Sequence, residues 1–113
     1  MARTSAAQAS SVTQDARVEL ELTFLTPEQG GRSQPASANG YRPHLRVPPD
    51  DTLLGVAFVG ADTVFPVGRP LTAVATLVYA PAVSYAALQP GAPVEICEGA
   101  RVVGHGRVVR PLT

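Results

Sequence analysis

Polar and apolar residues alternate strictly along Arg17–Phe24, which is the clearest structural signal in the chain. One face of this segment carries Val18, Leu20, Leu22 and Phe24, while charged residues and a threonine occupy the other face. An alternation with period two over this length predicts a β-strand with one buried face. We therefore expect the ordered part of the chain to begin near this segment.

Shorter apolar runs follow, each bounded by proline, glycine or aspartate. They predict strands at residues 44–47, 53–59, 64–65 and 71–79, with a turn at residues 60–62. The run at 71–79 is uncharged and rich in residues that favour strands, which is typical of a central strand. Residues 82–88 fit either a short helical turn or an irregular strand. Six or seven short strands separated by turns indicate an all-β barrel or sandwich.

The last part of the chain predicts a hairpin that closes the sheet. Residues 94–97 alternate in polarity, and Gly99 and Ala100 can form a two-residue turn with glycine at the position that needs a positive φ. Gly104 and Gly106 lie inside the second strand of this hairpin. Glycine weakens a strand unless a bulge, a bend or a close backbone neighbour requires it. The pattern therefore predicts a bent closing strand of a small barrel.

Two segments lack a strand pattern. Residues 1–15 are rich in alanine, serine and threonine, and we expect a disordered N-terminal tail there, followed by one barrel domain over residues 16–113. Residues 27–43 form a polar connection that is long for a compact domain. Such connections are usually functional or mobile, so a binding loop and a flexible surface excursion both remain open.

Composition restricts the classes of function. The chain has 113 residues, nine arginines, no lysine and nine acidic residues, so its net charge is zero. A neutral chain without lysine lacks the usual electrostatic footprint of a nucleic-acid-binding protein, although its arginines could form one local patch. The single cysteine excludes an internal disulfide bond, which fits a reducing, cytoplasmic compartment. No apolar run is long enough to span a membrane.

The residue types that carry catalysis are sparse. We expect Cys97 to be a packing residue rather than a nucleophile, and His105 to be a partly exposed strand residue rather than a base or metal ligand. By strand parity, Glu95 and Glu98 fall on opposite faces. A phosphate-binding loop of the lysine-containing type is excluded because the chain has no lysine. We therefore expect no enzymatic activity, no cofactor, no metal and no bound nucleotide.

Two segments carry a family resemblance. The long loop contains G-G-R at residues 30–32 and G-Y-R-P at residues 40–43, and residues 91–106 read G-x-x-x-x-I-x-E-G-A-R-x-V-G-x-G. In this order and spacing, they resemble the C-terminal β-barrel, the third domain, of translation elongation factor Tu and its relatives. The resemblance extends from about residue 17 to residue 110. It implies a closed antiparallel barrel of six strands with one long loop.

The resemblance also implies a function. In the family, this domain follows a GTPase domain and a second barrel, helps to clamp the T-stem of aminoacyl-tRNA, and contacts the GTPase domain and exchange factors. Residue by residue, it assigns the RNA-facing role to Arg32, Glu98 and Gly99. An arginine can neutralise a phosphate, a glycine turn allows close backbone approach, and a carboxylate can accept from a ribose hydroxyl.

The sequence departs from the family pattern at positions that contact RNA or other domains. Ser33 replaces a common histidine, Cys97 replaces an arginine, and Ala100 replaces the second glycine of the turn. Two phenylalanines of the loop are replaced by Ala36 and Ser37. The chain also carries no GTPase domain of its own. We therefore expect a stand-alone barrel that has been reused for another purpose, with apolar side chains exposed where other domains dock in the family.

Two hypotheses about function follow. The first is a non-catalytic, translation-related module that binds a protein partner, with a homodimer as a further possibility. The second is a module that binds tRNA or another RNA through a remnant of the T-stem contact, which would use Arg32, Arg42, Arg101 and Arg107. For either partner, the candidate binding residues are Arg32, Arg42, Glu98, Gly99 and Arg101.

Overall fold

The alternating segment Arg17–Phe24 forms the first strand, β1, of a closed barrel in the computed structural model, which describes residues 16–60 and 63–112. The four apolar residues of β1 are at most 2% exposed and form the centre of the core, as predicted. The predicted N-terminal tail, and most of the predicted turn at residues 60–62, lie outside the described residues.

The other strands follow the apolar runs closely. They are β2 (His44–Arg46), β3 (Leu54–Phe58), β4 (Pro70–Leu77), β5 (Pro93–Glu98) and β6 (Arg101–Leu112), and a 3-10 helix spans Pro27–Gln29. All neighbouring strands are antiparallel. Around the barrel, the order is β1-β4-β3-β2-β5-β6, and β6 returns to β1. The prediction of a small closed antiparallel barrel of about six strands is therefore confirmed.

The glycines of β6 allow this closure. A Cβ atom added to Gly106 would lie 1.9 Å from the backbone oxygen of Glu21, and one added to Gly104 would lie 3.0 Å from the backbone oxygen of Thr23. Only glycine therefore lets β6 come this close to β1, so of the three reasons for glycine in a strand, a close backbone neighbour applies here. The hairpin turn also forms as predicted, with Gly99 at a φ of 62°.

A β-bulge interrupts β6, where Val103 has no partner in β5. The pairing register of β5 with β6 shifts between Ile96 and Cys97, and both side chains are buried, at 0% and 1% exposure. Strand β5 pairs with β2 in regular register from Glu95 to Cys97, so the parity count that places Glu95 and Glu98 on opposite faces is not disturbed by the bulge. Cys97 is a buried packing residue, as predicted, and burial raises the pKa of its thiol.

Two predicted elements differ from the structure. Residues 64–65 contribute an isolated bridge between Val64 and Ser37 instead of a strand. Residues 82–88 form turns and bends, and are neither helical nor extended in a strand. The predicted central strand, β4, does lie between two neighbours, β1 and β3, although it ends at Leu77.

Connections at the two ends of the barrel create different surfaces. The loop end carries the connection at residues 25–43, the residues that follow β3, and the hairpin turn at Gly99. Beneath them, the rings of Phe24, Tyr41, Phe58 and Phe65 stack or meet edge to face with centroids 5.2 to 6.2 Å apart. The opposite end, the groove end, carries the connections from β2 to β3 and from β4 to β5.

Candidate binding site at the loop end

The G-G-R motif lies near the start of the long loop, and the local backbone conformation requires both of its glycines. Gly30 has a φ of 91°, which favours glycine, and its backbone N–H donates to the carbonyl of Pro27 at 3.0 Å. A Cβ atom added to Gly31 would lie 2.1 Å from the backbone oxygen of Leu25. The two glycines therefore fold the chain back sharply, so that the next residue, Arg32, points towards the hairpin turn.

The rest of the loop is anchored to the barrel. Ala36 and Ala38 are buried, at 2% and 3% exposure. The backbone of Phe65 donates to the carbonyl of Ala36 at 2.8 Å, and the backbone of Ala38 donates to the carbonyl of Thr63 at 2.7 Å. The loop is therefore held in one conformation over the aromatic residues, which argues against the flexible excursion that the sequence left open.

Arg32, Tyr41 and Glu98 meet in what we call the Glu98 cluster. The guanidinium group of Arg32 donates to Glu98 Oε2 at 2.5 Å, and the hydroxyl of Tyr41 donates to the same oxygen at 2.7 Å. The guanidinium carbon of Arg32 also lies 5.3 Å from the centroid of the Tyr41 ring, within the range of a cation–π contact. About 30% of each charged side chain is exposed, so these contacts form at the surface boundary and not in the core.

The environment of the cluster shifts the pKa values of Glu98 and Tyr41. Burial alone would raise the pKa of Glu98, but the hydrogen bonds from Tyr41 and Arg32 outweigh it and lower that pKa below its usual value. Burial raises the pKa of Tyr41 well above its usual value, and the hydrogen bond to Glu98 adds to this. At neutral pH, the cluster therefore consists of a carboxylate, a guanidinium and a neutral phenol.

Arg101 joins the hairpin to the beginning of the loop. Its guanidinium group donates to the carbonyl of Gly30 at 3.2 and 3.1 Å, and also to the carbonyl of Gly31. These acceptors are backbone groups that the 3-10 turn leaves without partners in that turn. Arg101 therefore holds the loop in place from one side, while the Glu98 cluster holds it from the other.

The structure brings four of the five predicted binding residues into one contact region. Arg32, Glu98, Gly99 and Arg101 lie around the hairpin turn, and Arg32, Glu98 and Arg101 line a depression of about 200 Å³. Arg42 is exposed and follows Tyr41, whose hydroxyl contacts Glu98, so it lies near the same region.

Sequence reasoning missed the contacts that hold this region together. In the sequence, Tyr41 stands out only as part of the G-Y-R-P motif, and the carbonyls of Gly30 and Gly31 carry no side-chain signal at all. Tyr41 and Glu98 are 57 residues apart in the chain, and alternation along a strand does not reveal such a pair. The family pattern could have suggested the contact, because the segment that contains Tyr41 and the segment that contains Glu98 occur together in it.

Three further arginines are paired with carboxylates. Arg107, which the RNA hypothesis included, donates to Glu21 at 3.0 Å, and Arg110 lies 2.9 Å from Glu19. Arg46 donates to Glu95 through two of its nitrogens. The pairs with Glu21 and Glu19 join residues of opposite charge that lie directly opposite each other in the sheet, because Glu21 pairs with Arg107 and Glu19 with Arg110 in the register of β1 and β6.

In the described part of the chain, the side chains considered for metal binding and catalysis do not lie together in one site. His105 is exposed, as predicted, and lies opposite Glu95 and Thr23 in the sheet. Within residues 16–60 and 63–112, no three side chains of histidine, cysteine, aspartate or glutamate form a group that could hold a metal ion. No helix in this part of the chain is long and apolar enough to cross a membrane.

The groove end contains a second surface that the sequence did not predict as a site. A cleft of about 390 Å³, here called the apolar groove, is lined by Val47, Asp50, Thr52, Leu54, Val83, Ser84 and Ala87. The connections at this end also expose apolar side chains, since Leu53 is 43% exposed, Tyr79 55% and Val83 39%. The ring of Tyr79 lies over Gly55, where an added Cβ atom would be 2.5 Å from the ring.

Comparisons with known proteins do not assign the chain to a family. No protein-family model matches it, and a search of curated proteins finds no significant relative. The resemblance to the third domain of elongation factor Tu therefore remains a prediction from the sequence motifs.

Proposed function

We propose that this barrel is a non-catalytic module that binds a protein partner. The observation that carries the proposal is the internal pairing of the arginines at the loop end. Arg32 is bound to Glu98, and Arg101 to the carbonyls of Gly30 and Gly31. Guanidinium groups engaged in this way fix the shape of the loop and have less capacity left for the phosphates of RNA. A shaped, anchored loop is suited to a protein surface.

The resemblance to the third domain of elongation factor Tu is part of this proposal. A closed six-stranded barrel is the fold that the resemblance implies, and in the family this domain docks on other protein domains. Leu53, Tyr79 and Val83 supply exposed apolar area that such docking would use. The proposal includes a translation-related role and a cytoplasmic location, where the unpaired thiol of Cys97 would stay reduced.

The test is a capture from a lysate of the source organism with the full tagged chain as bait. Because apolar contacts are little affected by ionic strength, we expect a stoichiometric protein that stays bound through a high-salt wash. RNA and protein in the eluate are analysed together at low and high salt. Capture of RNA alone, or of no protein at any salt concentration, would overturn the proposal.

An RNA-binding module is the second candidate, and one observation favours it. Arg32 and Arg101 lie in one depression with a single carboxylate, Glu98, and the exposed Arg42 follows Tyr41, which contacts that carboxylate. Binding of labelled tRNA to the full chain would test it by fluorescence anisotropy over a range of salt concentrations. RNA binding predicts a steep loss of affinity with salt and a further loss in Arg42→Ala, which removes a cation without breaking the Glu98 cluster.

A further inference from the structure

The apolar groove at the groove end has an acidic border. Asp50 lines the groove, and the adjoining depression is lined by Asp50, Asp51, Glu95 and Arg46 among its residues. Three carboxylates therefore face one guanidinium group, and Arg46 is already paired with Glu95. The side chain of Asp51 is 97% exposed and lies 4.0 Å from Arg46, so that contact leaves most of its charge to solvent.

The carboxylate of Asp50 is held in a fixed position beside the groove. Its Oδ1 atom accepts hydrogen bonds from the backbone N–H and the hydroxyl of Thr52, at 2.9 and 2.8 Å. These bonds lower the pKa of Asp50, so it stays ionised at neutral pH. Asp50 is also exposed, so its carboxylate can accept a further hydrogen bond from a donor that enters the groove.

The wall of the groove is fixed as well. The hydroxyl of Tyr85 donates to the carbonyl of Gly55 at 2.7 Å and accepts from the backbone N–H of Tyr79 at 3.1 Å. The backbone of Val83 donates to the carbonyl of Tyr79 at 2.9 Å. These bonds tie the connection between β4 and β5 to strand β3, so the groove exists without a ligand, which reduces the entropic cost of binding.

We propose that the apolar groove binds a segment of a partner polypeptide in which an apolar side chain lies next to an arginine or lysine. The apolar side chain packs against Val47, Leu54 and Val83, and the cation pairs with Asp50. The volume of about 390 Å³ lies near the lower end of the range of about 300 to 1,000 Å³ for ligand sites, which suits one or two side chains. Negative charge at the border repels phosphates, which disfavours nucleic acid and anionic lipid. The inference rests on the proposed protein-binding function and adds a contact surface at the groove end of the barrel.

The experiment uses the full chain and a displayed library of random short peptides. We expect enrichment of peptides with an apolar residue beside arginine or lysine, and affinities are then measured by fluorescence anisotropy. Val83→Glu should weaken binding by about tenfold or more, because it places a charge against the apolar segment. Asp50→Asn should weaken binding by about two- to fivefold, as for an exposed ion pair. Both replaced side chains lie at the surface, and the unfolding transition of each variant checks that it is folded.

Matched controls lie at the loop end. Val64 is 62% exposed, and Glu28 is exposed in the 3-10 helix, so Val64→Glu and Glu28→Gln introduce the same chemical changes away from the groove. Neither should change affinity by more than about twofold. Enrichment of acidic peptides, enrichment of none, or equal losses in the control variants would overturn the inference. A dimer of this chain that Val83→Glu dissociates would also overturn it, because the groove would then bind a second copy.

The lysate capture separates this inference from the proposed function. A salt-resistant protein that binds the unmodified chain and Val83→Glu equally well would leave the protein-binding function standing and place the contact elsewhere. Absence of any captured protein would instead contradict the function itself.

Discussion

Glu98 is the residue on which the loop end depends most, because it accepts hydrogen bonds from both Arg32 and Tyr41. Glu98→Gln keeps the size of the side chain but removes the charge that both donors require. We expect the free energy of unfolding at pH 7 to fall by about 1 to 2 kcal/mol, as for hydrogen bonds to a partly buried charged group. Denaturation in urea measures this. Glu28→Gln, which removes an exposed carboxylate from the same loop, should cost less than about 0.5 kcal/mol.

The same residue predicts a dependence of stability on acid. The pKa of Glu98 is lower in the folded state than its ordinary value, so its contribution is fully present above about pH 4.3 and is lost as the pH falls through the lower folded-state pKa. The difference in unfolding free energy between the wild type and Glu98→Gln should therefore shrink below about pH 4. Urea denaturation at several pH values tests this. A difference that stays constant down to pH 2 would contradict the role given to the charge.

At the scale of elements, the contact between β6 and β1 depends on a missing side chain. A Cβ atom at residue 106 would lie 1.9 Å from a backbone oxygen of β1, and backbone cannot move aside as a flexible side chain can. We expect Gly106→Ala to lower the free energy of unfolding by about 3 kcal/mol or more. Gly91→Ala is the control, because Gly91 has a positive φ but open space around it, and it should cost only about 1 to 2 kcal/mol. Equal losses at the two sites would argue against the steric account.

The aromatic residues beneath the loop should stabilise the loop as well as the core. Phe65 is 3% exposed and contacts the rings of Phe24 and Phe58. Phe65→Ala should cost about 3 to 5 kcal/mol and speed hydrogen exchange at the amide of Ala38, which bonds to this segment. Val64→Ala alters the exposed neighbour and should leave that exchange rate unchanged. Faster exchange in both variants would indicate that the backbone bridge, not the ring, holds the loop.

What could be predicted from the sequence depended on how local each signal is. The buried face of β1 followed from period two along eight residues, and the hairpin turn followed from Gly99. The bulge at Val103 in β6 could not be predicted, because counting parity along the chain assumes one residue per step in both strands of a hairpin. The contacts of Glu98 could not be predicted either, because its donor Tyr41 belongs to a distant loop that reaches the hairpin only in the closed barrel.

For the whole molecule, closure of the barrel by β6 is the decisive step. Strand β6 pairs with β1 from Arg17 opposite Leu112 to Phe24 opposite Gly104, and it pairs with β5 on its other side. Removing residues 101–112 would expose two strand edges and uncover the apolar face of β1, so we expect loss of the cooperative unfolding transition. Removing residues 1–15, which we expect to precede the domain, should change the free energy of unfolding by less than about 0.5 kcal/mol. Circular dichroism during thermal and urea denaturation measures both. A cooperative transition without β6 would mean that five strands suffice for the core, and a large loss without residues 1–15 would place the start of the domain earlier in the chain.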